Sequence, residues 1–190
     1  MARWPAPGRC KRRLASSLGA AAAARIQARL TDHTLAVGRQ LGIELVLAVD
    51  GLAPRAARRL GDQLGVGRIV LQGGGGLGAR MQRQFQRAAK ERARRVVLIG
   101  SDLPQLERAD LVSAFAALDH QEAVLGPACD GGYWLIGLRR PEPALMEGIA
   151  WGSEQVLEQT LAALARRGLE PALLPWRRDL DRGEDLGAWR

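Results

Sequence analysis

Asp102 stands where a carboxylate could bind a ligand. It follows the apolar run Val96–Ile99, from which Gly100 and Ser101 separate it. Four consecutive large or β-branched apolar residues favour a strand buried on both faces, as in a parallel sheet. Open α/β sheets bind ligands at the carboxyl ends of their strands, and Mg²⁺ there prefers one or two carboxylates plus substrate phosphates. A purely structural role in a turn is the alternative, because Ser-Asp-x-Pro also forms turns well.

Asp130 is the second acidic group of interest. It lies in the glycine-rich segment Gly126–Gly132, between the apolar runs Ala123–Leu125 and Tyr133–Leu138. Asp-Gly is a strong hairpin signal, so this turn has a structural explanation. A second glycine and a wholly apolar following strand are more than a hairpin requires. A chemical role for the Asp130 carboxylate therefore stays open.

Two further segments could receive phosphate. The basic run Arg9–Arg13 follows the loop Pro5–Gly8 and precedes a predicted helix, whose free N–H groups and positive end favour anions. Such charge runs are also common on solvated faces. The glycines Gly73–Gly76 would let the backbone approach a ligand closely. Their spacing matches neither G-x-G-x-x-G nor a P-loop, and a flexible surface loop is the alternative.

Strands and helices alternate along the chain. The predicted strands are Glu44–Val49, Arg68–Leu71, Val96–Ile99, Ala123–Leu125, Tyr133–Leu138 and Ala172–Leu174. The predicted helices are Ala20–Gln40, Pro54–Leu64, one marked from Met81 onwards, Ala109–Leu118, and one that starts at Trp151–Glu154. This alternation predicts a three-layer α/β sandwich with a mostly parallel sheet. A length of 190 residues predicts one domain, 1–190.

The composition narrows the classes of function. No apolar run approaches the roughly 18 residues of a membrane span, and the N-terminus lacks the apolar core of a signal peptide, so the cytoplasm is the expected location. With two cysteines and two histidines, a zinc site or a histidine-centred triad is not expected, and any metal should be bound by oxygen. The net charge of +8 suits phosphorylated partners. One tyrosine and two phenylalanines give little support to nucleic acid as the partner.

Five segments in order carry a resemblance to one family. They are Pro5–Leu14, Gly75–Met81, Gly100–Pro104, Asp130–Leu138 and Asp179–Leu186. The chain resembles glycosyltransferase-like proteins that were first classed as a domain of unknown function and are also described as arsenosugar-biosynthesis or selenium-domain-associated transferases. Those proteins have the GT-A fold of the nucleotide-diphospho-sugar transferase superfamily. Their first strand is expected to be truncated here, because only Met1–Trp4 precedes the first loop.

The resemblance implies a metal-dependent glycosyltransferase that uses a nucleotide-sugar donor and a small-molecule acceptor. Asp102 and Asp181 would hold Mg²⁺ or Mn²⁺, with a plain helix N-cap as the alternative role for Asp181. Lys11 and Arg9 would neutralise the diphosphate, and Asp130 would face the acceptor as a base or orienting group. The nucleotide would contact Pro7, Gly8, Arg9, Lys11, Gly75, Arg80 and Asp102.

Two other functions stay open. The lysine-bearing first loop also resembles that of phospholactate guanylyltransferases, so the protein could be a nucleotidyltransferase that joins a nucleoside triphosphate to a phosphorylated metabolite. The charge of +8 and the short first strand would also suit a catalytically inactive basic binding module.

Overall fold

A computed structural model describes residues 1–189 and divides them into two compact units. The first unit comprises Met1–Leu71, Gly100–Arg108 and the chain from Asp179 on. The second unit comprises Gln72–Ile99 and Ala109–Arg178. No helix in the described part of the chain is long and apolar enough to cross a membrane.

The first unit contains a parallel three-stranded sheet, in the order β1-β2-β3. Its strands are β1 (Ala2–Arg3), β2 (Val46–Asp50) and β3 (Arg68–Leu71), and its helices are α1 (Arg12–Leu18), α2 (Ala20–Arg39) and α3 (Pro54–Leu64). A 3-10 helix, Gly183–Trp189, follows near the end of the chain. Since the strands are parallel, Arg3 and Asp50 both lie at the carboxyl edge of this sheet.

Buried leucines join the elements of this unit. Leu14 of α1 and Leu30 of α2 pack with Leu180 of the C-terminal segment, and all three are fully buried. Each such side chain contributes roughly 1.5–3 kcal/mol of hydrophobic stabilisation. The chain on both sides of Leu14 and Leu180 is therefore held in place, and it carries several of the predicted site residues.

The second unit contains a mixed four-stranded sheet, in the order β4-β6-β5-β7. Its strands are β4 (Val96–Ile99), β5 (Ala123–Pro127), β6 (Tyr133–Leu138) and β7 (Ala172–Leu173). Its helices are α4 (Leu77–Lys90), α5 (Arg108–His120, of which the first residue belongs to the first unit), the 3-10 helix Pro143–Met146 and α6 (Val156–Ala165). β6 pairs antiparallel with β4 and β5, whereas β7 pairs parallel with β5.

The structure corrects the predicted environment of Val96–Ile99. These residues form a strand, but it lies at one edge of its sheet, pairs antiparallel with β6, and is only half-buried. The two interior positions belong to β6, whose residues after Tyr133 are all buried, and to β5, which is buried throughout. An apolar run of four residues indicates a strand but does not identify the strand that pairs with it.

Three helix boundaries also differ from the prediction. Residues 12–18 form α1, which the sequence did not predict, and α4 begins at Leu77 rather than Met81. α6 begins at Val156, because the Ser153 hydroxyl donates to the carbonyl of Ala150 and accepts the N–H of Gln155. Ser153 therefore stabilises a turn before the helix instead of capping the helix itself.

Candidate functional site

A small cleft lies at the carboxyl edge of the parallel sheet in the first unit. This carboxyl-edge cavity has a volume of about 190 Å³ and is lined by Arg3, Trp4, Arg9, Asp50 and Gly51. The Trp4 N–H donates to the carbonyl of Asp50 at 2.9 Å, which holds the first loop against the end of β2. The cavity therefore combines two guanidinium groups with the position at which α/β sheets bind ligands.

The first loop turns sharply between this cavity and α1. The N–H of Arg9 donates to the carbonyl of Ala6 at 3.0 Å, and Gly8 has a φ of 75°. Pro7, Gly8 and Arg9 are exposed, whereas the next side chains turn inward. Lys11 adopts a left-handed φ of 45°, which is uncommon for a residue with a Cβ. The loop thus presents Arg9 to the cavity and directs Lys11 into the protein.

Lys11 joins two remote segments of the first unit. Its side chain is only 4% exposed, and its Nζ lies 2.8 Å from Oδ1 of Asp102. The same ammonium donates to the carbonyl of Leu180 at 2.5 Å. The backbone N–H of Leu180 in turn donates to the carbonyl of Asp102 at 2.9 Å. The Lys11 ammonium is therefore the point at which the first loop, Asp102 and the C-terminal segment meet.

The Asp102 carboxylate is half open to solvent. Its side chain is 47% exposed, although Oδ1 itself is shielded and contacts Lys11. The accessible part of the carboxylate is therefore on the Oδ2 side. The preceding residue, Ser101, is held in place because Nε2 of Gln27 donates to its hydroxyl at 3.0 Å and both residues are buried.

Asp181 has a different partner from the one a helix N-cap would have. Its Oδ2 lies 2.8 Å from Nη1 of Arg13, and both side chains are at least partly exposed. The N–H groups at this turn are satisfied by Asp185 instead, whose Oδ2 accepts from Asp181 at 3.0 Å and from Arg182 at 2.7 Å. Asp185 was not among the predicted site residues, although an acidic side chain in a first turn commonly accepts from the N–H groups that precede it.

We refer to Asp102 and Asp181, with Lys11 and Arg13, as the paired-aspartate site. Its two carboxylates belong to adjacent backbone segments and suit a hard divalent cation, which takes one or two carboxylates and completes its shell with water and phosphate. Among residues 1–189, no group of three or more His, Cys, Asp or Glu side chains could enclose a metal. Two carboxylates would supply only part of the coordination shell of such a cation.

Cys10 lies beside Lys11 but is poorly suited to nucleophilic chemistry. Burial raises the pKa of its thiol, against the opposing effect of the positive charges on Lys11 and Arg3. Its Sγ donates to the carbonyl of Ala6 at 3.4 Å. Because the thiolate is the reactive form of cysteine, the raised pKa and the burial of Cys10 both disfavour nucleophilic chemistry there.

The second unit holds Asp130 in a tight turn between β5 and β6. Oδ1 of Asp130 accepts the N–H of Gly132 at 2.9 Å, and the residue is exposed. Gly131 has a φ of 85°, and a Cβ added there would lie 2.1 Å from the carbonyl oxygen of Glu154. The N–H of Leu157 also donates to the carbonyl of Gly131 at 2.9 Å. The first glycine after Asp130 is thus required by close packing against the segment before α6.

Arginines of α4 hold the glycine-rich loop. Nε of Arg80 donates to the carbonyl of Gly75 at 2.8 Å. Arg83 donates to the carbonyls of Gln72 and of Gly74, the latter at 3.1 Å. Arg83 was not predicted, although its spacing of three from Arg80 on a helix places both on one side. The loop is therefore tied to the helix that follows it and is not a free linker.

The predicted site residues fall into two groups. Within the first unit, the structure brings Lys11, Asp102 and the segment of Asp181 together, with Arg9 at the carboxyl-edge cavity. Gly75, Arg80 and Asp130 belong to the second unit. The functional roles of all these residues stay predictions.

Comparison with known proteins gives both a family and a fold. The profile of a family described as uncharacterized proteins conserved in bacteria (DUF2064) matches residues 33–153. A crystal structure presented as a candidate nucleotide-diphospho-sugar transferase from Desulfovibrio desulfuricans G20 is 32% identical, with a TM-score of 0.83, over 95% of this chain and 79% of the other. No curated protein matches the chain.

Two more distant structures share the fold. The inositol-1-phosphate CTP transferase from T. maritima is 16% identical, with a TM-score of 0.60, over 93% of this chain and 87% of the other. Rv0371c from Mycobacterium tuberculosis H37Rv, in a complex with manganese, is 20% identical, with a TM-score of 0.53, over 84% of each chain. The predicted α/β fold of the nucleotide-diphospho-sugar transferase type is confirmed.

Proposed function

The chain belongs to the DUF2064 family, and from that membership and the geometry above we propose that it is a metal-dependent glycosyltransferase with a nucleotide-sugar donor. The observation that carries the proposal is the paired-aspartate site. Asp102 and Asp181 lie on adjacent segments, each with an accessible carboxylate, in the unit that also holds the arginine-lined carboxyl-edge cavity. This combination suits a nucleoside diphosphate and the cation that accompanies it.

Charge is the chemical basis of the proposal. When a sugar is transferred, its bond to the diphosphate breaks and negative charge develops on the leaving group. A divalent cation bound by Asp102 and Asp181 would neutralise part of that charge. Arg9 is exposed at the cavity and free to approach a phosphate, and Lys11 lies two residues further along the same loop. Arg9 is proposed to contact the leaving diphosphate, whereas Lys11, whose ammonium is buried against Asp102, is proposed to stabilise it through its charge without direct contact.

The acceptor is assigned to the second unit. Asp130 is exposed and keeps one carboxylate oxygen outside its turn hydrogen bond, so it could take the proton of an acceptor hydroxyl. Gly75 and Arg80 are proposed to contact the nucleotide. For this reaction the two units must act as one domain, 1–190, which is part of the proposal.

The finer identity of the substrates rests on resemblance. A role in the arsenosugar or selenium-associated subgroup is proposed from the five segments that carry the resemblance to that family. The manganese complex of Rv0371c supports Mn²⁺ as a cation to test beside Mg²⁺. The relative from D. desulfuricans supports the nucleotide-sugar donor.

The central test removes the carboxylate of Asp102. We expect Asp102→Asn to lose Mn²⁺-dependent binding of nucleoside diphosphates, measured by calorimetry, while its circular dichroism spectrum stays that of the wild type. Asp62→Asn, at an exposed position of α3, is the matched control because it makes the same change of charge. Undiminished binding by Asp102→Asn would contradict the proposal.

A nucleotidyltransferase is the second candidate, because the CTP transferase from T. maritima shares the fold. The two reactions release different products. Incubation with nucleoside triphosphates and phosphorylated metabolites should yield pyrophosphate if the second candidate is correct. Incubation with nucleotide sugars should yield nucleoside diphosphate under the proposal. A protein that does neither, but binds nucleic acid with a steep dependence on salt, would be a basic binding module.

A further inference from the structure

The position of the Lys11 ammonium has a consequence for how the cation enters. Lys11 is buried and contacts Oδ1 of Asp102 at 2.8 Å, so it neutralises the carboxylate from the protein side. Arg13 does the same for Asp181 from the solvent side, also at 2.8 Å. The four side chains of the paired-aspartate site therefore carry two negative and two positive charges.

A neutral site attracts a bare divalent cation weakly. It attracts a cation that carries a diphosphate more strongly, because the phosphate oxygens can contact the exposed guanidinium of Arg13 while the cation contacts the carboxylates. The shielding of Oδ1 adds a geometric limit. Only the Oδ2 side of Asp102 is open, so the carboxylate cannot offer both oxygens to an incoming ion.

We propose that Lys11 is a positioning residue that makes the paired-aspartate site bind its divalent cation together with a diphosphate rather than as a bare ion. Lys11 holds Asp102 with Oδ2 outward and keeps the local charge near zero until the diphosphate arrives. This inference rests on the proposed function, since it assumes that Asp102 binds the cation. It adds an order of binding that neither the family nor the related structures specify.

The test compares two titrations of each variant by calorimetry. One uses Mn²⁺ alone, and the other uses a preformed complex of Mn²⁺ and pyrophosphate, which supplies a diphosphate without a base or sugar. Wild-type protein should bind the complex at least about tenfold more tightly than the bare ion. Lys11→Met should bind bare Mn²⁺ at least about tenfold more tightly than wild type, because repulsion between a single and a double positive charge that share one carboxylate is worth that much even at the dielectric constant of water.

Lys90→Met is the matched control. Lys90 is the only other lysine of the chain, it is exposed at the end of α4, and its loss changes the net charge equally. It should leave both titrations unchanged. The double variant Lys11→Met, Asp102→Asn should lose the gain, which would assign the new affinity to Asp102. Lys11→Gln, which keeps a donor for the carbonyl of Leu180, replaces Lys11→Met if circular dichroism shows that the latter is unfolded.

Two results would overturn the inference. If Lys11→Met binds bare Mn²⁺ no more tightly than wild type, Lys11 does not regulate access of the ion. If it binds bare Mn²⁺ as the wild type does and loses affinity only for the Mn²⁺–pyrophosphate complex, Lys11 is a phosphate ligand and nothing more. In either case the proposed function survives as long as the wild type binds the Mn²⁺ complex through Asp102. That function fails separately if Asp102→Asn binds the complex as the wild type does.

Discussion

Gly131→Ala tests the packing that fixes the turn of Asp130. The new Cβ would lie 2.1 Å from the carbonyl oxygen of Glu154, where a contact under 3.0 Å requires a shift of the structure. Overpacking of this kind costs about 1–3 kcal/mol, and a side chain at a φ of 85° costs about 1–2 kcal/mol more. The free energy of unfolding should therefore fall by about 2–5 kcal/mol.

Gly152→Ala isolates the conformational cost. Its φ of 87° is nearly the same, but no atom lies within 4 Å of the added Cβ. We expect a loss of only about 1–2 kcal/mol for this variant. Both losses can be measured by urea denaturation followed by circular dichroism. Equal losses in the two variants would show that Gly131 is not packed against Glu154, and the reasoning about the Asp130 turn would be refuted.

A buried ion pair and an exposed one should differ in their contributions to the free energy of unfolding. Arg177→Met should cost about 1.5–3 kcal/mol in the same urea assay, because it removes the charge-assisted hydrogen bond of 2.6 Å to the Asp110 carboxylate, which is only 5% exposed. Arg13→Met should cost less than about 1 kcal/mol, because Arg13 is 67% exposed and its pair with Asp181 is screened by water. The opposite order would contradict the assignment of buried and exposed pairs.

Secondary-structure elements could be predicted from the sequence where a short stretch of residues was enough to identify them. The helical spacing of apolar residues identified α2, and the run of large or β-branched apolar residues Val96–Ile99 identified β4. The pairing of β4 could not be predicted in this way, because it depends on β6, which follows it after more than 30 residues. α1 was missed because a basic run such as Arg9–Arg13 has the same composition in a loop as in a short helix.

In the candidate site, too, the local sequence predicted some residues, whereas the contacts between distant segments could not be predicted. The end of a strand identified Asp102 as a residue of interest, and the resemblance added Asp181 and Lys11. The contact between Lys11 and the Leu180 carbonyl spans 169 residues of sequence and depends on a left-handed backbone at Lys11. No local rule predicts either feature. Asp185 illustrates a related limit, since either of two acidic residues four positions apart could have capped the same turn.

The burial of Lys11 also bears on the choice between an enzyme and a basic binding module. A module that binds nucleic acid by charge needs its cations exposed, and counterion release depends on their contact with phosphates. The ammonium of Lys11 is shielded and already neutralised by Asp102, so it adds little to such a surface. Burying the ammonium of this ion pair costs free energy that packing alone does not require, although its partner carboxylate stays half exposed. Such a pair is more readily explained by a carboxylate that must be held in one orientation with its other oxygen open to a ligand, and this favours the transferase.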